Sequence, residues 1–201
     1  MLAASVDRLN AVEGLMLDVG GWAHPLARAD WVLDLMPHES RGLYGRPPDE
    51  RFTADTWVQR DICDREPWPF EDGQFDFVVC SHTLEDVRDP IWVCDEMVRV
   101  AKAGYVEVPS RIEEHMTGLS GTWAGWAHHR WVCDVDPYAP SIDFVFKSHA
   151  IHARTIPKRD LEPERRVQWL WWEGSFAYRE RILMGIEEHD AYFDEPLRAV
   201  Q

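Results

Sequence analysis

Acidic residues and glycines close the short apolar runs in the first half of the chain. Asp18, Gly20 and Gly21 end the first run, Asp34 ends the second, and Asp61 follows the third. Carboxylates at such positions accept hydrogen bonds from a ribose diol or an exocyclic amine, and glycines let a ligand approach the backbone. Carboxylates beside a glycine turn disfavour a pyrophosphate and favour a cation. The pattern therefore predicts a nucleoside site for a positively charged ligand.

A second group of reactive side chains follows the fourth apolar run. Ser81 and His82 come directly after it, and we expect both to contact the ligand, although a structural histidine is the alternative. His82, Glu85 and Asp86 have the spacing that places side chains on one face of a helical turn. Because Mg²⁺ prefers oxygen ligands, Glu85 and Asp86 are the metal candidates. The alternative is an acidic helix start that the helix dipole stabilises.

Short strands that alternate with helical or loop connections must position these side chains. Strands are predicted at 15–19, 31–35, 57–62, 75–80, 105–108, 143–147 and 167–172, and helices at 2–13, 91–100 and 176–189. This alternation predicts an α/β fold with a Rossmann-like, doubly wound and mostly parallel seven-stranded sheet. In such a sheet, ligands bind outside the carboxyl ends of the strands, where the acidic residues lie.

The domain organisation is predicted to be a single domain over residues 1–201. Residues 1–110 form its cofactor-binding core, and residues 111–201 supply a substrate loop, the late strands and the closing helix. Residues 111–140 are rich in Gly, Trp, His and Pro without a clear period. We interpret them as a long functional loop with one short helix.

Composition excludes several classes of protein. The 201 residues carry 21 Lys plus Arg against 36 Asp plus Glu, a formal charge of −15, which argues against nucleic acid and against an anionic membrane surface. No apolar run of about 18 residues predicts a membrane span, and the start lacks the basic region of a signal peptide. Four scattered cysteines predict buried free thiols in a reducing cytoplasm. Trp is in excess, with 11 residues.

Motifs in a fixed order connect these observations to a known family. They are Leu17-Asp18-Val19-Gly20-Gly21, Asp34-Leu35, Asp61-Ile62, the segment PFEDGQFDFVV at 69–79 and the segment SHTLEDV at 81–87. On these motifs the chain resembles class I S-adenosylmethionine-dependent methyltransferases of the small-molecule type 11 kind, from about Met16 to Ser110. The resemblance implies S-adenosylmethionine as the cofactor, with Asp34 and Leu35 at its ribose and Asp61 and Ile62 at its adenine. Some related quinone-pathway enzymes hold a divalent metal near the last motif, which adds Mg²⁺ as an optional ion.

The glycine loop departs from the family's pattern. It has two glycines rather than three, and only 16 positions separate Asp18 from Asp34. Pro25 forbids a normal helix interior, so the helix after the first strand is predicted to be truncated or replaced by a turn. Trp22 or His24 is a candidate to contact the methionine part of the cofactor instead.

The resemblance also implies that the segment after the fifth strand lines the substrate pocket. A hydroxyl acceptor needs a base, and histidine is the usual candidate near neutral pH. His129, which lies between Trp126 and Trp131, is our first candidate, and His128 and Glu114 follow. The alternative is a surface loop whose histidines have no role.

Indole rings beside histidines and carboxylates favour a sugar or saccharide hydroxyl as the acceptor. Trp123, Trp126 and Trp131 supply these rings, although a satellite hydrophobic cluster or a dimer contact would explain them equally well. We therefore expect an O-methyltransferase of a small hydroxylated molecule that acts as a homodimer. Methylation of nitrogen or carbon on a natural product or quinone is the first alternative. A non-enzymatic adenosyl-binding protein is the second.

Overall fold

Nine strands and five helices occur in residues 1–198, the part of the chain that the computed structural model describes. The strands are β1 Met16–Val19, β2 Trp31–Asp34, β3 Trp57–Gln59, β4 Phe77–Ser81, β5 Ala103–Pro109, β6 Trp131–Asp136, β7 Ser141–Phe146, β8 Val167–Glu173 and β9 Ala177–Glu180. The helices are α1 Ala3–Asn10, α2 Pro90–Val100, α3 Arg111–His115, α4 Pro163–Arg166 and α5 Gly185–Arg198.

The central sheet has six strands in the order β3-β2-β1-β4-β5-β8. The first five run parallel, and β8 pairs antiparallel with β5. All four residues of β1 are buried, because a parallel strand inside such a sheet is covered on both faces. The predicted α/β class with a mostly parallel sheet is confirmed. The predicted count of seven strands in one sheet is wrong, because β6, β7 and β9 form a separate three-stranded sheet.

The connection between β1 and β2 contains no α-helix, as the short spacing predicted. A carboxylate organises this loop instead, since Asp18 accepts a hydrogen bond of 2.8 Å from the Leu26 amide. The helix before β5 was predicted closely. It begins after Asp89, whose side chain accepts from the Trp92 amide at 3.1 Å, and Pro90 occupies its first turn.

The second half of the chain differs most from its prediction. The predicted loop at 111–140 contains the expected short helix α3, but it also contains β6, which pairs with β7 over its whole length. Trp131 therefore begins a strand instead of lying in a loop. The predicted closing helix at 176–189 is wrong. Residues 177–180 form β9 against β7, and the helix begins only at Gly185, whose φ of 78° is a conformation that favours glycine.

The two sheets pack through one hydrophobic cluster. It joins Val106 and Leu170 of the central sheet to Cys133 and Phe144 of the second sheet. A side-chain amide also joins them, because Gln168 accepts from the Val135 amide at 3.1 Å and donates to the Cys133 carbonyl at 2.7 Å. The single domain remains a prediction that this shared core supports.

The opposite face of the central sheet is covered by α1. Leu9 of that helix packs in a cluster with Met16, Val79 and Tyr105. The adjacent residues Trp171 and Trp172 of β8 point to opposite faces, as strand alternation predicted. All four cysteines are buried and free, as the sequence predicted. Among residues 1–198, no helix combines the length and hydropathy that a membrane span requires.

Candidate functional site

The parallel strands end along one edge of the central sheet, which we call the carboxyl edge. The register pairs Val19 with both Leu33 and Cys80, so β1, β2 and β4 end side by side. Asp34 is the last residue of β2 and Ser81 the last of β4. The structure therefore brings the glycine turn and these strand ends together, as the sequence predicted.

Gly20 and Gly21 are required by close packing inside the chain. Gly20 has a φ of 76°, and a Cβ there would lie 2.2 Å from the Thr83 hydroxyl. A Cβ on Gly21 would lie 2.4 Å from Oδ2 of Asp18. Neither position has room for a side chain, so the turn between β1 and the next segment depends on both glycines.

The carboxylates of Asp18 and Asp34, beside this turn, accept hydrogen bonds from main-chain amides of the loops that follow them. Asp34 is 7% exposed and accepts hydrogen bonds from the amides of Trp22, at 2.9 Å, and Met36, at 2.8 Å. Burial raises the pKa of Asp34 against the effect of these bonds. Burial likewise raises the pKa of Asp18 to about 7, with a hydrogen bond from Leu26 opposing it and the charge of Asp34 adding to it.

An exposed leucine follows Asp34 at the carboxyl edge. Leu35 is 60% exposed, and its carbonyl accepts a hydrogen bond of 3.2 Å from the Gln59 side chain. The Trp57 indole donates to the Met36 carbonyl at 2.9 Å. The exposed apolar surface is thus held in place next to a carboxylate that can accept from a diol.

Asp61, which follows β3 at the carboxyl edge, forms an ion pair. Its carboxylate contacts Arg88 at 2.5 Å and accepts from the Cys63 amide at 2.9 Å. Burial acts to raise the pKa of Asp61, but these hydrogen bonds lower it below its ordinary value. Ile62, which follows, is buried in the core, and His24 is exposed. Trp22 donates its indole N–H to the Ser40 carbonyl at 2.8 Å.

His82 lies between two carboxylates at the end of β4. Its Nε2 is 3.2 Å from Oε1 of Glu107, and its Nδ1 is 3.5 Å from Oε1 of Glu85. Burial acts to lower the pKa of His82, but the two carboxylates raise it to about 9, so the ring is cationic at neutral pH. Its φ of 53° is unusual for a residue other than glycine. Burial would raise the pKa of Glu107, but bonds from His82, Tyr105 and the Leu2 amide lower it to about 2.

His129 belongs to a series of buried ion pairs. Its Nδ1 lies 2.5 Å from Oε1 of Glu114, and the other oxygen of Glu114 lies 2.5 Å from Nζ of Lys147. All three side chains are at least nine-tenths buried. Burial acts to lower the pKa of His129 and to raise that of Glu114, but the hydrogen bond between them shifts both values the other way. The free Nε2 of His129 points toward Asp86, 3.7 Å from Oδ1.

The backbone of β6 brings the histidines to the end of β4. The amides of Arg130 and Trp131 both donate to the Glu85 carbonyl, at 2.7 and 3.1 Å. The Trp131 indole donates to the Val87 carbonyl at 2.8 Å. These bonds place His128 and His129 against the turn that carries Asp86. Two groups of residues that the sequence suggested separately are therefore adjacent.

Three of these residues could hold a metal ion. Ligand atoms of Asp86, His128 and His129 lie within 4.8 Å of one another. Glu85, which the sequence also suggested, is outside that set, but its carboxylate is 1% exposed and neither oxygen has a hydrogen-bond partner among the described residues. Two imidazoles and a carboxylate suit transition metals better than Mg²⁺. Burial and the charge of Glu85 raise the pKa of Asp86 to about 7.

Two charged residues of the site were missed by the sequence analysis. Glu107 lies inside the apolar run of β5, and Lys147 follows the apolar run of β7. Both are buried. A charge within or directly after an apolar run is the signal that could have identified them, because such a residue needs a buried partner.

The comparisons with known proteins agree with the motifs. A family model described as a methyltransferase domain matches residues 38–106, about a third of the chain. The match confirms the resemblance to S-adenosylmethionine-dependent methyltransferases, a family that implies S-adenosylmethionine as the cofactor. The matched residues include Asp61, His82 and Asp86, whereas Asp18 and Asp34 precede them. No curated protein matches the chain.

Solved structures resemble the chain over about half its length. A candidate methyltransferase from Bacillus halodurans is 21% identical, with a TM-score of 0.39, and the match covers 53% of this chain and 50% of that one. A methyltransferase from Mesorhizobium loti is 15% identical, with a TM-score of 0.40 and coverages of 56% and 55%. An arsenic(III) methyltransferase from Chlamydomonas reinhardtii is 18% identical, with a TM-score of 0.36 and coverages of 54% and 46%. The chain thus spans about half the length of these proteins, and the likeness concerns the fold alone.

Proposed function

We propose that the protein is an S-adenosylmethionine-dependent methyltransferase that methylates a hydroxyl oxygen of a small molecule. The observation that carries the choice of oxygen is the pair of His129 and Glu114, which lies against the turn that follows β4. A buried carboxylate 2.5 Å from Nδ1 holds the imidazole with its proton on that nitrogen, which leaves Nε2 free to accept a proton.

The residues of the carboxyl edge would hold the cofactor. Asp34 and Leu35 would take its ribose and base, with Asp61 and Ile62 beside the adenine, and the glycine turn would border the methionine part. When bound, S-adenosylmethionine supplies an electrophilic methyl group that passes to the acceptor oxygen. Ser81 and His82 lie at the end of β4, between this region and the histidines.

The chain's own residues would remove the proton of the acceptor. Nε2 of His129 accepts the proton as the oxygen gains the methyl group, and Glu114 then stabilises the imidazolium. Lys147 keeps Glu114 ionised, since it lies 2.5 Å from the second carboxylate oxygen. Glu114 and Lys147 are thus positioning residues. His128, which is 64% exposed, is the second candidate for the base.

A sugar or saccharide hydroxyl remains our favoured acceptor. Trp126 is half-buried beside His129, with ring centroids 6.3 Å apart, and an indole face suits the apolar face of a sugar ring. An amine or carbon acceptor is the alternative, because an amine needs no strong base. We also keep the homodimer as a proposal, with the Trp-rich second half as its interface, and sedimentation analysis would test it.

One observation favours a second candidate, an adenosyl-binding protein without catalysis. The glycine loop that would border the methionine part of the cofactor has two glycines rather than the family's three, whereas the strand-end carboxylates for the nucleoside are present. Calorimetry with S-adenosylhomocysteine addresses binding. We expect Asp34→Asn to weaken binding by about 10- to 100-fold, because a charge-assisted pair of hydrogen bonds is lost. The matched control is Asp55→Asn, at the amino end of β3, which should leave the affinity unchanged.

Catalysis is tested by methyl transfer from labelled S-adenosylmethionine to a panel of sugars and phenols. Loss of a general base should lower turnover of His129→Gln by about 10²- to 10⁴-fold. His152→Gln is the matched control, since that ring packs on Trp123 away from Asp86. Equal turnover of the His129 variant would reject the base and favour an amine acceptor. Intact binding of S-adenosylhomocysteine with no transfer to any acceptor would favour the non-catalytic protein.

A further inference from the structure

A cavity of about 300 Å³ lies next to Trp126, whose ring is a neighbour of the proposed base His129. Its apolar wall is formed by Met116, Leu119, Trp126 and Leu161. Its charged lining consists of three cations and two carboxylates, which are Lys158, Arg159, Arg166, Glu113 and Asp160. Of these residues, Lys158, Arg159 and Asp160 are exposed, whereas Glu113 is buried.

The cavity adjoins the proposed catalytic residues on two sides. Trp126 lines it and also contacts the ring of His129, while the Trp126 carbonyl accepts a hydrogen bond of 2.9 Å from Lys147. Glu113 lines it and is followed directly by Glu114, which binds His129. The cavity therefore shares Trp126 with the surroundings of His129, and its lining residue Glu113 is the neighbour of Glu114 in the sequence.

Backbone hydrogen bonds fix one wall of the cavity and the two ends of the segment that carries Lys158. The amide of Thr117 donates to the Ile156 carbonyl at 2.9 Å, and the amide of Ile156 donates to the His115 carbonyl at 2.8 Å. Ser110 donates two hydrogen bonds of 2.8 Å to the segment that carries Arg166, one from its amide to the Arg166 carbonyl and one from its hydroxyl to the Arg165 carbonyl. A site built in this way is largely formed before a ligand arrives.

The charges of the lining are not all compensated within it. Glu113 is neutralised by Arg166, whose guanidinium donates to both carboxylate oxygens, at 2.7 and 3.2 Å. Lys158 makes no hydrogen bond or ion pair with the residues at 1–198, and its stem packs 3.7 Å from the position of a Cβ on Gly118. An ammonium group is therefore available at the mouth of an apolar cavity that contains an indole ring.

We propose that this cavity binds the acceptor and that the acceptor is an anion, a hydroxylated molecule with a carboxylate or phosphate group. The apolar wall with Trp126 covers the ring or carbon skeleton, Lys158 binds the acidic group, and the hydroxyl faces His129. The inference rests on the proposed function in one respect, that the ligand is called the acceptor. Binding of an anion to the cavity can be measured without the cofactor.

Two matched pairs of probes test the charge requirement. Glucuronate is compared with glucose, and 3,4-dihydroxybenzoate with 3,4-dihydroxybenzamide, by calorimetry and tryptophan fluorescence in the absence of cofactor. In at least one pair, we expect the acid to bind about tenfold more tightly than its neutral partner, with a preference that falls as salt rises. Equal binding within both pairs, or no binding of either acid, overturns the proposal.

Substitution of one lysine locates the binding site. Lys158→Gln should remove most of the preference for the acid. The matched control is Lys102→Gln, the same change at the opposite end of β5, where Lys102 pairs with Asp76 and should not affect the preference. A preference that survives in Lys158→Gln overturns this assignment. Binding of S-adenosylhomocysteine should be unchanged in Lys158→Gln, so failure of the cavity and failure of the proposed function are separable.

Discussion

The two halves of the carboxyl edge are held together by different chemistry. At the ends of β1 and β2, Asp18 and Asp34 accept hydrogen bonds from main-chain amides of their own loops, over sequence separations of 8 and 12 residues. At the end of β4, Glu114 is held by the side chains of His129 and Lys147, over separations of 15 and 33 residues. The first half is a local clamp without a cation. The second is a network of charges from three elements, so it should respond far more strongly to loss of one partner.

The largest expected effect concerns this network. Glu114→Ala leaves Lys147 buried without its carboxylate partner and leaves His129 with Asp86 alone, 3.7 Å away, which should lower the free energy of unfolding by about 3–5 kcal/mol in urea titrations. The double variant Glu114→Leu, Lys147→Met removes both charges and should recover much of the loss. A loss below about 1 kcal/mol for Glu114→Ala would mean that the network contributes no more than a surface ion pair.

The local clamp should show the opposite behaviour, because its carboxylate is destabilising when ionised. The pKa of Asp18 is raised to about 7 in the folded chain. Its penalty is absent below about pH 4, where the carboxyl is protonated in both states, and is complete above pH 7. Asp18→Asn keeps an oxygen for the Leu26 amide and should raise the free energy of unfolding by about 2 kcal/mol at pH 8 relative to pH 4. A difference that does not change with pH would contradict the raised pKa.

Metal ions sharpen the comparison, since Asp86, His128 and His129 offer a carboxylate and two imidazoles whose ligand atoms lie within 4.8 Å of one another. Zn²⁺ at about ten times its Kd should stabilise the protein by about 1.4 kcal/mol in thermal unfolding, and Mg²⁺ should have little effect. Because the ion would take Nε2 of His129, Zn²⁺ should also inhibit methyl transfer. Asp86→Asn should abolish the stabilisation, whereas Asp55→Asn should not. Activation by either ion would assign it a catalytic role in place of the free base.

The smallest expected effect is on the ratio of the affinities for S-adenosylmethionine, which carries a sulfonium charge, and for its product S-adenosylhomocysteine. The sulfonium of S-adenosylmethionine should gain from Asp18 only when that carboxylate is ionised, whereas S-adenosylhomocysteine carries no such charge. The ratio of the two affinities should therefore rise a few-fold between pH 6 and pH 8. Calorimetry at both pH values measures it, and Asp18→Asn should remove the pH dependence. A ratio that is equally pH-dependent in the variant would place the responsible charge elsewhere.

The sequence predicted the local half of the site better than the distant half. The helix α2, the five parallel strands and the loop that replaces a helix after β1 follow from apolar runs, from Pro25 and from spacing, all of which act within about ten residues. The strand β6 was missed because its order comes from pairing with β7. The segment before β6 is rich in Gly and Trp and has no clear period, so no local pattern indicated where the strand begins.

The contacts of His129 show why the remaining part was not predictable. The sequence identified His129 and Glu114 as candidates, but their mutual contact depends on the docking of Arg130 and Trp131 onto the Glu85 carbonyl. That docking is a tertiary contact, and no local sequence pattern indicates it. Lys147 was missed for the same reason, since its partner lies 33 residues away.

The carboxamide of Gln168 has a consequence for how the molecule avoids self-association. An edge strand presents unpaired amides and carbonyls that can recruit a strand of another chain. Gln168 occupies the Val135 amide and the Cys133 carbonyl of β6 as a neighbouring peptide group would. One side chain thus caps an otherwise open ladder, and the same bonds tie the late sheet to the early one. Gln168 can make these two bonds only after both sheets have formed. The partly folded chain, in which the edge of β6 is still open, is therefore the form most exposed to misassembly.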